Sequence, residues 1–340
     1  MQLKPLNGIS DNDWDKIIAR FDSKRLFHQS AWLEFLSKTQ GGERILLEIK
    51  AKDNIVGYFS GFVLKKGPFK ILGSPLVGWT TEFMGPIINR DLNQTDFLLA
   101  LESYCHLHKI DHLELSNPIL KQEVMEKHGF KCQKGATYIV ELLPDERIMW
   151  ENLKKKSCRY SIHKAQKNKL VVEDTDDPRI TDEYYNQLIE VFAKEQLVPT
   201  YSKQRAKVLF DSLKEKDLLF SIWVKYQDKV IATGFFPHDN HFLYFWGGAS
   251  FARFHYLCPN ELLHWTAMVL AAKKGISYYN MGGRGSFKVK FGGELVPLRH
   301  WYKSYNPLAK IGRLFYQYQF RAIQRIKGLS KKYARTGESN

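Results

Sequence analysis

The sequence has few cysteines, fewer acidic than basic residues, and no long apolar run. Its four cysteines are dispersed, and the nearest two, Cys132 and Cys158, are 26 positions apart, so no CxxC pair indicates a zinc site or a redox dithiol. Residues 1–8 lack the apolar core of a signal peptide, and no stretch approaches the roughly 18 apolar residues of a membrane span. We therefore expect a reduced, cytoplasmic chain that is neither exported nor membrane-spanning.

The chain contains enough apolar surface for a folded core. Of its 340 residues, 44% are hydrophobic and 14% are aromatic, which excludes a disordered chain and a small disulfide-stabilised module. At roughly 150 residues per domain, this length predicts about two domains. The 51 lysines and arginines outnumber the 36 acidic residues, so the net charge of +15 favours anionic partners such as RNA, phosphorylated lipids or nucleotide-sugars.

A faint internal duplication organises the chain. Residues 44–64 and 217–236 each predict two apolar strands joined by a polar turn. Each hairpin precedes an amphipathic helix, over 95–109 in the first half and over 259–274 in the second, and each helix precedes a short strand. A glycine next to a phenylalanine and a final strand complete both copies. The matching order predicts two copies of one α/β (α+β) unit.

The chain divides into two predicted domains and a tail. We expect an N-terminal domain over 1–145, a C-terminal domain over 146–306, and a tail over 307–340. In the tail, apolar residues recur at helical spacing, and residues 305–335 carry eight lysines or arginines and no acid. A basic amphipathic helix of this kind covers a domain core, contacts RNA, or makes peripheral contact with an anionic membrane through residues 308–335.

Two stretches in the second half carry the most specific patterns. The first begins at Arg159 and reads RYSIHKAQK, within residues 152–172, which hold seven lysines or arginines and no acid. The second runs from Pro259 through GISYYNMGG, at residues 275–283, to FKVKFGG, at residues 287–293. The basic stretch suits phosphate or pyrophosphate, and its other interpretation is a solvated helix face.

With the duplicated element order, these stretches resemble the FemABX-like transferases and their BioF2-like acetyltransferase relatives, the double-domain branch of the GNAT superfamily. The resemblance covers most of residues 20–305. It implies two tandem GNAT-like domains with a cleft between them and a C-terminal basic helix. It also implies transfer of an acyl or aminoacyl group onto an amine. No tightly bound cofactor is expected, because acyl-CoA or aminoacyl-tRNA serves as the co-substrate.

The chain departs from this family at three places. Asn280 stands where relatives have aspartate, and Lys169 stands where they have glycine. The stretch Arg253–Pro259 replaces the glycine-rich loop on which standard GNAT enzymes seat the pyrophosphate of CoA. The donor stays open. Acyl-CoA is slightly favoured because no helical-hairpin arm of the tRNA-dependent members interrupts the chain, whereas the net positive charge favours aminoacyl-tRNA.

Lys288 and Phe287 are the first candidates for a catalytic element. Acyl transfer to an amine places negative charge on a carbonyl oxygen, which a fixed ammonium stabilises. The resemblance places this Phe–Lys pair at the reaction centre, and the alternative is a solvated strand with surface lysines. The general base is unassigned, with Glu294 and Tyr279 near the motif in sequence.

Three basic residues are candidates for holding phosphates of the donor or acceptor. The resemblance matches Arg159 to a position that contacts such a phosphate, and Lys164 and Lys167 belong to the same basic stretch. The expected acceptor is therefore anionic: a phosphorylated small molecule or a lipid-linked precursor.

A glycine-rich loop and an aromatic strand supply the remaining candidates. Gly283 and Arg284 belong to a loop where backbone can approach a ligand closely, although a plain turn explains the glycines nearly as well. Tyr244 and Trp246 line an acyl tunnel or pack in the core, and the two interpretations are compatible. No metal site is predicted, since no carboxylate completes the histidines at 106, 108 and 112.

The resulting hypothesis is an N-acyltransferase that acts on an amine of a cell-envelope or polysaccharide precursor, with acyl-CoA as donor. The first alternative is an aminoacyl-tRNA-dependent transferase that acts on a peptidoglycan precursor. The second alternative is a non-catalytic basic module that binds RNA or anionic lipid. We expect the protein in the cytoplasm, with peripheral contact at the inner face of the membrane as an option.

Overall fold

The computed structural model describes residues 1–88 and 92–313. The chain forms two compact units. The first comprises residues 1–135 and the chain from residue 297 to the end of the described part, and the second comprises residues 136–296. The predicted tail helix begins within the described residues, with helical backbone at 307–313, and the rest of that prediction lies outside them.

The first unit combines helices with a mixed sheet. Its helices are α1 (Asp11–Ile18), α2 (Ser30–Gln40), α3 (Gln94–Leu107) and α4 (Gln122–Lys127). Its strands are β1 (Gln2–Pro5), β2 (Glu43–Ala51), β3 (Asn54–Lys66), β4 (Phe69–Ser74), β5 (Gly85–Ile88) and β6 (His112–Leu115), and β7 (Lys131–Glu141) leads out of the unit.

The second unit has the same mixture of elements. Its helices are α5 (Glu146–Glu151), α6 (Tyr160–Lys167), α7 (Ile180–Lys194), α8 (Lys203–Lys214) and α9 (Pro259–Lys273). Its strands are β8 (Val171–Asp174), β9 (Leu219–Tyr226), β10 (Lys229–Pro237), β11 (Phe242–Tyr244), β12 (Gly247–Ser250) and β13 (Tyr278–Asn280), and β14 (Glu294–Ser304) leads out of it.

The two predicted hairpins form the centre of each unit. In the first, β2 and β3 pair antiparallel and β3 continues to β4, which pairs in parallel with β6. In the second, β9 lies between β10 and β8, and β12 pairs with the far edge of β10. Alternating apolar residues on these strands pack under α3 in one unit and α9 in the other, so each unit has its own buried core.

The last strands of the two repeats are exchanged. The end of β7, residues 139–141, pairs with β13 of the second unit, and Trp301–Ser304 of β14 pair with β6 of the first. The structure therefore differs from the predicted boundaries of 1–145 and 146–306, because the end of β7 pairs within the second unit and the end of β14 pairs within the first. The pattern of a strand shows which face is buried but does not show its partner.

Residues 147–167 form two helices separated by a π-helical turn rather than one continuous helix. Helix α5 ends at Glu151, a π-helical turn occupies Lys155–Arg159, and α6 follows directly. The backbone N–H of Lys154 donates to the carbonyl of Lys290 over 3.0 Å, so this segment bonds to another part of the unit rather than to its own helix.

No helix within the described residues combines the length and the apolar character that crossing a bilayer requires.

Candidate active site

Lys288 lies on a short 3₁₀ turn, Ser286–Phe291, between two glycine-bounded bends. The turn ends at Gly292, whose φ of 81° suits glycine. A Cβ at Gly292 would meet the carbonyl oxygen of Asn152 at 2.6 Å. Any side chain at Gly292 would therefore force the turn away from residues 152–172, which we call the basic segment. The bond from the Lys154 N–H to Lys290 fixes the same approach. The alternative interpretation of the sequence, a solvated strand at Lys288, is therefore wrong.

The Lys288 ammonium is half-buried and faces an aromatic ring. Its Nζ lies 5.7 Å from the centroid of Phe245, within cation–π range. Burial lowers the pKa of Lys288, because removing water disfavours the charged form. Within residues 1–88 and 92–313, no carboxylate lies within 4.0 Å of this ammonium. The site therefore holds a cation whose charge is available to a ligand.

The neighbouring Lys290 has a different role. Its Nζ donates to Glu261 over 2.6 Å, and both side chains are largely buried. The same ammonium lies 4.0 Å from the centroid of the Phe287 ring. Lys290 therefore attaches the turn to the first turn of α9 and presses on Phe287, and its charge is matched by Glu261.

The buried His264 packs against the turn that carries Lys288. His264 packs against Phe245, Phe287 and Phe291, with ring centroids 4.7, 5.5 and 5.3 Å apart. Its Nδ1 lies 2.6 Å from the hydroxyl of Tyr279. Burial first, then the charges of Lys288 and Lys290, lower the pKa of His264 to about 3, so the ring is neutral and Tyr279 donates the hydrogen bond.

From the sequence, Glu261 and His264 are only half of a di-iron motif, so His264 receives no functional role there. The only signal was a histidine on the apolar side of α9, which is more often a core residue than a functional one. The structure also removes Tyr279 from the candidates for a general base. Tyr279 is fully buried, and burial raises its pKa well above the usual value, so its hydroxyl keeps its proton.

Asn280 explains how the chain accommodates its departure from the family. Its side-chain oxygen accepts hydrogen bonds from the Thr137 hydroxyl over 2.6 Å and from the Gly282 N–H over 3.0 Å. These are bonds that an aspartate carboxylate in the same place would accept. Gly282 and Gly283 follow with φ of 66° and 77°, so the loop needs glycine at both positions.

Gly283 and Arg284 differ in how they relate to Lys288. A Cβ at Gly283 would lie 3.8 Å from the Lys288 Nζ, so the absence of a side chain leaves the ammonium open on that side. Arg284 is exposed, and its position at the loop leaves it available to an anionic ligand.

Tyr244 and Trp246 lie where the chain passes from one sheet to another. Strand β11 pairs in parallel with β13, whereas β12 pairs with β10. Between them, the N–H of Phe245 donates to Asn280 over 2.9 Å, and the N–H of Trp246 donates to Phe235 over 3.2 Å. The two sheets therefore diverge at residues 244–247. Phe245 lies at this point of divergence, and its ring faces Lys288.

Tyr244 and Trp246 are themselves core residues, with 6% and 8% exposure. Trp246 packs against Tyr184 and Tyr201, whose ring centroids lie 6.3 and 5.2 Å away. The guanidinium of the buried Arg205 lies 5.4 Å from the Tyr201 ring. Core packing is observed for both candidates, and a contact with an acyl chain stays a prediction.

The basic segment presents several cations of differing exposure. Arg159 ends the π-helical turn and is half-buried, and its Nε is buried with no hydrogen-bond partner among the described residues. Lys164 is half-buried on α6, and Lys167 is exposed. π-Helical turns occur frequently at functional sites. Among Arg159, Lys164 and Lys167, only Arg159 has a buried side-chain donor without a partner in the described part of the chain.

The segment before α9 occupies the position of the glycine-rich loop of standard GNAT enzymes. Residues Ala252–Leu257 form a 3₁₀ turn, and Cys258 adopts the left-handed conformation with φ of 59°. The Cys258 N–H donates to the His255 carbonyl over 3.0 Å, and Pro259, at the first helical position, has no N–H. Two backbone donors of an anion-binding helix start are therefore absent or engaged.

The second unit matches a known family. Residues 153–291 match the model of the acetyltransferase (GNAT) domain. The protein therefore carries a GNAT-type acyltransferase domain and is an enzyme of the acyltransferase class, as the motifs around Arg159 and Lys288 predicted. Among curated proteins, none matches this chain.

Solved structures share the fold at low sequence identity. FemX is 14% identical, with a TM-score of 0.73 over 92% of this chain and 99% of FemX. The C-terminal domain of a protein named as a lysylphosphatidylglycerol synthetase, from Agrobacterium fabrum, is 12% identical, with a TM-score of 0.56 over 86% of this chain and 92% of that domain. A tandem GNAT protein from the clavulanic acid biosynthesis pathway is 7% identical, with a TM-score of 0.55 over 90% of this chain and 99% of that chain.

These likenesses confirm the predicted fold class, a mixed α/β fold shared with tandem GNAT proteins.

Proposed function

We propose that the protein transfers an acyl group from an activated ester to an amine, with Lys288 as the residue that stabilises the oxyanion. The observation that carries this proposal is the half-buried ammonium of Lys288, which faces Phe245 and has no carboxylate within ion-pair distance in the described part of the chain. A fixed cation in a partly dehydrated site stabilises charge that develops in the transition state more than an exposed one does.

The chemical step is addition followed by elimination. The neutral acceptor amine forms a bond to the carbonyl carbon, and the carbonyl electron pair moves onto oxygen next to Lys288. The pair returns as the bond to the donor oxygen or sulfur breaks, the leaving group takes up a proton, and the amide nitrogen loses one. Tyr279 and His264 do not supply the base, because they are buried and bonded to each other. The amine reaches the site already deprotonated in this proposal.

The donor we favour is aminoacyl-tRNA rather than the acyl-CoA that the sequence slightly favours. Two backbone donors that would hold a CoA pyrophosphate at the start of α9 are missing or engaged, at Pro259 and Cys258. Glu261 also places a carboxylate in the first turn of this helix. A polyanionic tRNA fits the net charge of +15. No tightly bound cofactor takes part, since the donor is a co-substrate.

The acceptor we favour is an amine on a phosphorylated, nucleotide-linked or lipid-linked envelope precursor. Arg159, with Lys164 and Lys167, would hold its phosphates, because the buried Nε of Arg159 has no partner among the described residues and a phosphate oxygen would supply one. The name of the lysylphosphatidylglycerol synthetase is compatible with a lipid-linked acceptor, and the proposal rests here on the charge and geometry of the basic segment.

The test is a transfer assay with labelled donors. The full chain is incubated with tRNA charged with labelled amino acids or with labelled acetyl-CoA, and with nucleotide-linked or lipid-linked peptidoglycan precursors that carry an amine. We expect label to pass from tRNA to a precursor, and Arg159→Gln to raise KM for the precursor. Transfer from acetyl-CoA alone would replace the proposed donor. Absence of transfer from both donors to every acceptor would contradict the proposed function.

A further inference from the structure

The first unit exposes aliphatic side chains at one end. Leu107, Leu308 and Ile311 are 79%, 65% and 63% exposed, which makes them the three most exposed large aliphatic residues of the described chain. Isolated exposed leucines are ordinary, but a group of them beside basic residues is typical of an interaction surface.

The three residues belong to segments that contact one another. His106, next to Leu107, packs on Tyr305, with ring centroids 5.1 Å apart. The N–H of Tyr305 donates to the carbonyl of Asp111 over 2.9 Å, just beyond the end of α3. The helical residues that follow Tyr305 carry Leu308 and Ile311 on the exposed side, while Ala309 between them is buried.

The hairpin between β3 and β4 joins the same end. The Nζ of Lys70 donates to the carbonyl of His108 over 3.0 Å, which ties β4 to the end of α3. Gly312 lies against Phe69, since a Cβ on Gly312 would come within 3.0 Å of that ring. The hairpin tip, the end of α3 and residues 307–313 therefore form one continuous surface.

Lysines surround the aliphatic group. The exposed residues of this surface, which we call the basic end, are Lys65, Lys66, Lys109 and Lys310 together with Leu107, Leu308 and Ile311.

The basic end has fewer carboxylates than lysines, and two of these carboxylates accept hydrogen bonds from neighbouring side chains. Glu102 accepts from Lys303 over 2.6 Å, and Asp111 accepts from Asn306 over 2.9 Å. Burial raises the pKa of Tyr104 on α3, and the charge of Glu43, exposed at the start of β2, adds a smaller contribution in the same direction. The remaining balance at the basic end is positive.

We infer that the basic end is a docking surface for an anionic lipid bilayer. Aliphatic side chains flanked by lysines match the interface of a membrane with acidic headgroups, where the apolar groups enter the acyl boundary and the ammonium groups meet phosphates. RNA would match the lysines but would leave Leu107, Leu308 and Ile311 in water. The surface rests on described residues only and does not depend on the role of Lys288.

The experiment is vesicle co-sedimentation of the full chain. Vesicles of phosphatidylcholine alone are compared with vesicles that also contain phosphatidylglycerol, for the wild type and for the triple variant Leu107→Ser/Leu308→Ser/Ile311→Ser. Val171→Ser, which replaces a residue 51% exposed in the second unit, is the matched apolar control. Lys109→Glu/Lys310→Glu and its control Lys216→Glu test the charge.

We expect the wild type to bind the anionic vesicles. The affinity should fall about tenfold for each aliphatic group removed and should weaken with salt. The two controls should bind like the wild type. Unchanged thermal melting of each variant shows that the unit is folded, and if the triple variant unfolds, Ile311→Ser alone is measured. The inference is overturned if the wild type ignores anionic vesicles, if the triple variant binds them like the wild type, or if the variants lose tRNA binding but keep vesicle binding.

Discussion

Lys290 donates to Glu261 over 2.6 Å, while Lys288, two residues earlier, faces the ring of Phe245. The two lysines are close in sequence, but their ammonium groups lie in different electrostatic environments. One charge is matched by a buried carboxylate, and the other has no carboxylate within ion-pair distance in the described part of the chain. Lys290 therefore attaches the turn to α9, and the charge of Lys288 stays available for the proposed chemistry.

A first prediction separates these roles through Glu261. Glu261→Gln leaves the largely buried Lys290 ammonium without its partner, so we expect a loss of about 3 kcal/mol in the free energy of unfolding. Chemical denaturation measures this loss. The double variant Glu261→Gln/Lys290→Met, which removes both charges, should recover part of the stability. A Glu261→Gln protein as stable as the wild type would contradict the structural role of the pair.

A second prediction concerns alkaline pH. Burial lowers the pKa of Lys288, so its ammonium is lost at a lower pH than that of an ordinary lysine. We expect the rate of transfer to fall as pH rises through this lowered pKa, once the acceptor amine is deprotonated. Lys288→Arg keeps its charge at every accessible pH, so its pH–rate profile should lack the alkaline fall. An identical alkaline limb in both proteins would assign that limb to another group.

A third prediction concerns Asn280. Its oxygen accepts from Thr137 and Gly282, so Asn280→Asp retains both bonds and should keep near wild-type stability and activity. Asn280→Leu leaves a buried hydroxyl and an N–H without that acceptor, which costs about 1–3 kcal/mol and loosens the glycine loop beside Lys288. Unfolding curves and kcat check both variants. Equal behaviour of the aspartate and leucine variants would contradict this account.

A fourth prediction uses the buried histidines. Burial lowers the pKa of His264 to about 3, well below the value of about 6.5 in the unfolded chain. The unfolded state therefore binds a proton that the folded state refuses, so stability is complete above pH 6.5 and is lost as pH falls. Between pH 7.5 and 5.5 the loss from one such histidine is about 1.4 kcal/mol.

The variant His264→Gln isolates this contribution. We expect its free energy of unfolding to fall by about 1.4 kcal/mol less than that of the wild type over the same pH interval, in urea titrations at each pH. His28, whose pKa burial also lowers to about 3, stays in both proteins and serves as the internal reference. Parallel pH curves for the two proteins would show that His264 is charged or accessible in the folded state.

Much of the fold could be predicted because local patterns determine it. The hairpins at 44–64 and 217–236 correspond to β2–β3 and β9–β10, and the helices predicted over 95–109 and 259–274 correspond to α3 and α9. Period-two and helical patterns are properties of consecutive residues, so they survive in a single sequence. The motifs around Arg159 and Lys288 are also runs of consecutive residues, and both lie within residues 153–291, which match the GNAT domain model.

The rest depends on contacts between distant residues. The exchange of β7 and β14 is a choice of pairing partner, which alternation along a strand does not encode. The π-helical turn at Lys155–Arg159 directly follows Lys154, whose N–H bonds to Lys290, far away in sequence. His264 becomes recognisable only when three phenylalanines and Tyr279 converge on it.

The most direct test of the central claim is the single-turnover rate of acyl transfer by Lys288→Met, with Lys216→Met as the exposed control. The account predicts that Lys288→Met keeps the wild-type melting temperature and donor affinity but reacts about 10²–10³-fold more slowly, as expected when one oxyanion-stabilising group is removed. The control should react at the wild-type rate. A folded Lys288→Met enzyme that transfers the acyl group at the wild-type rate would contradict the account.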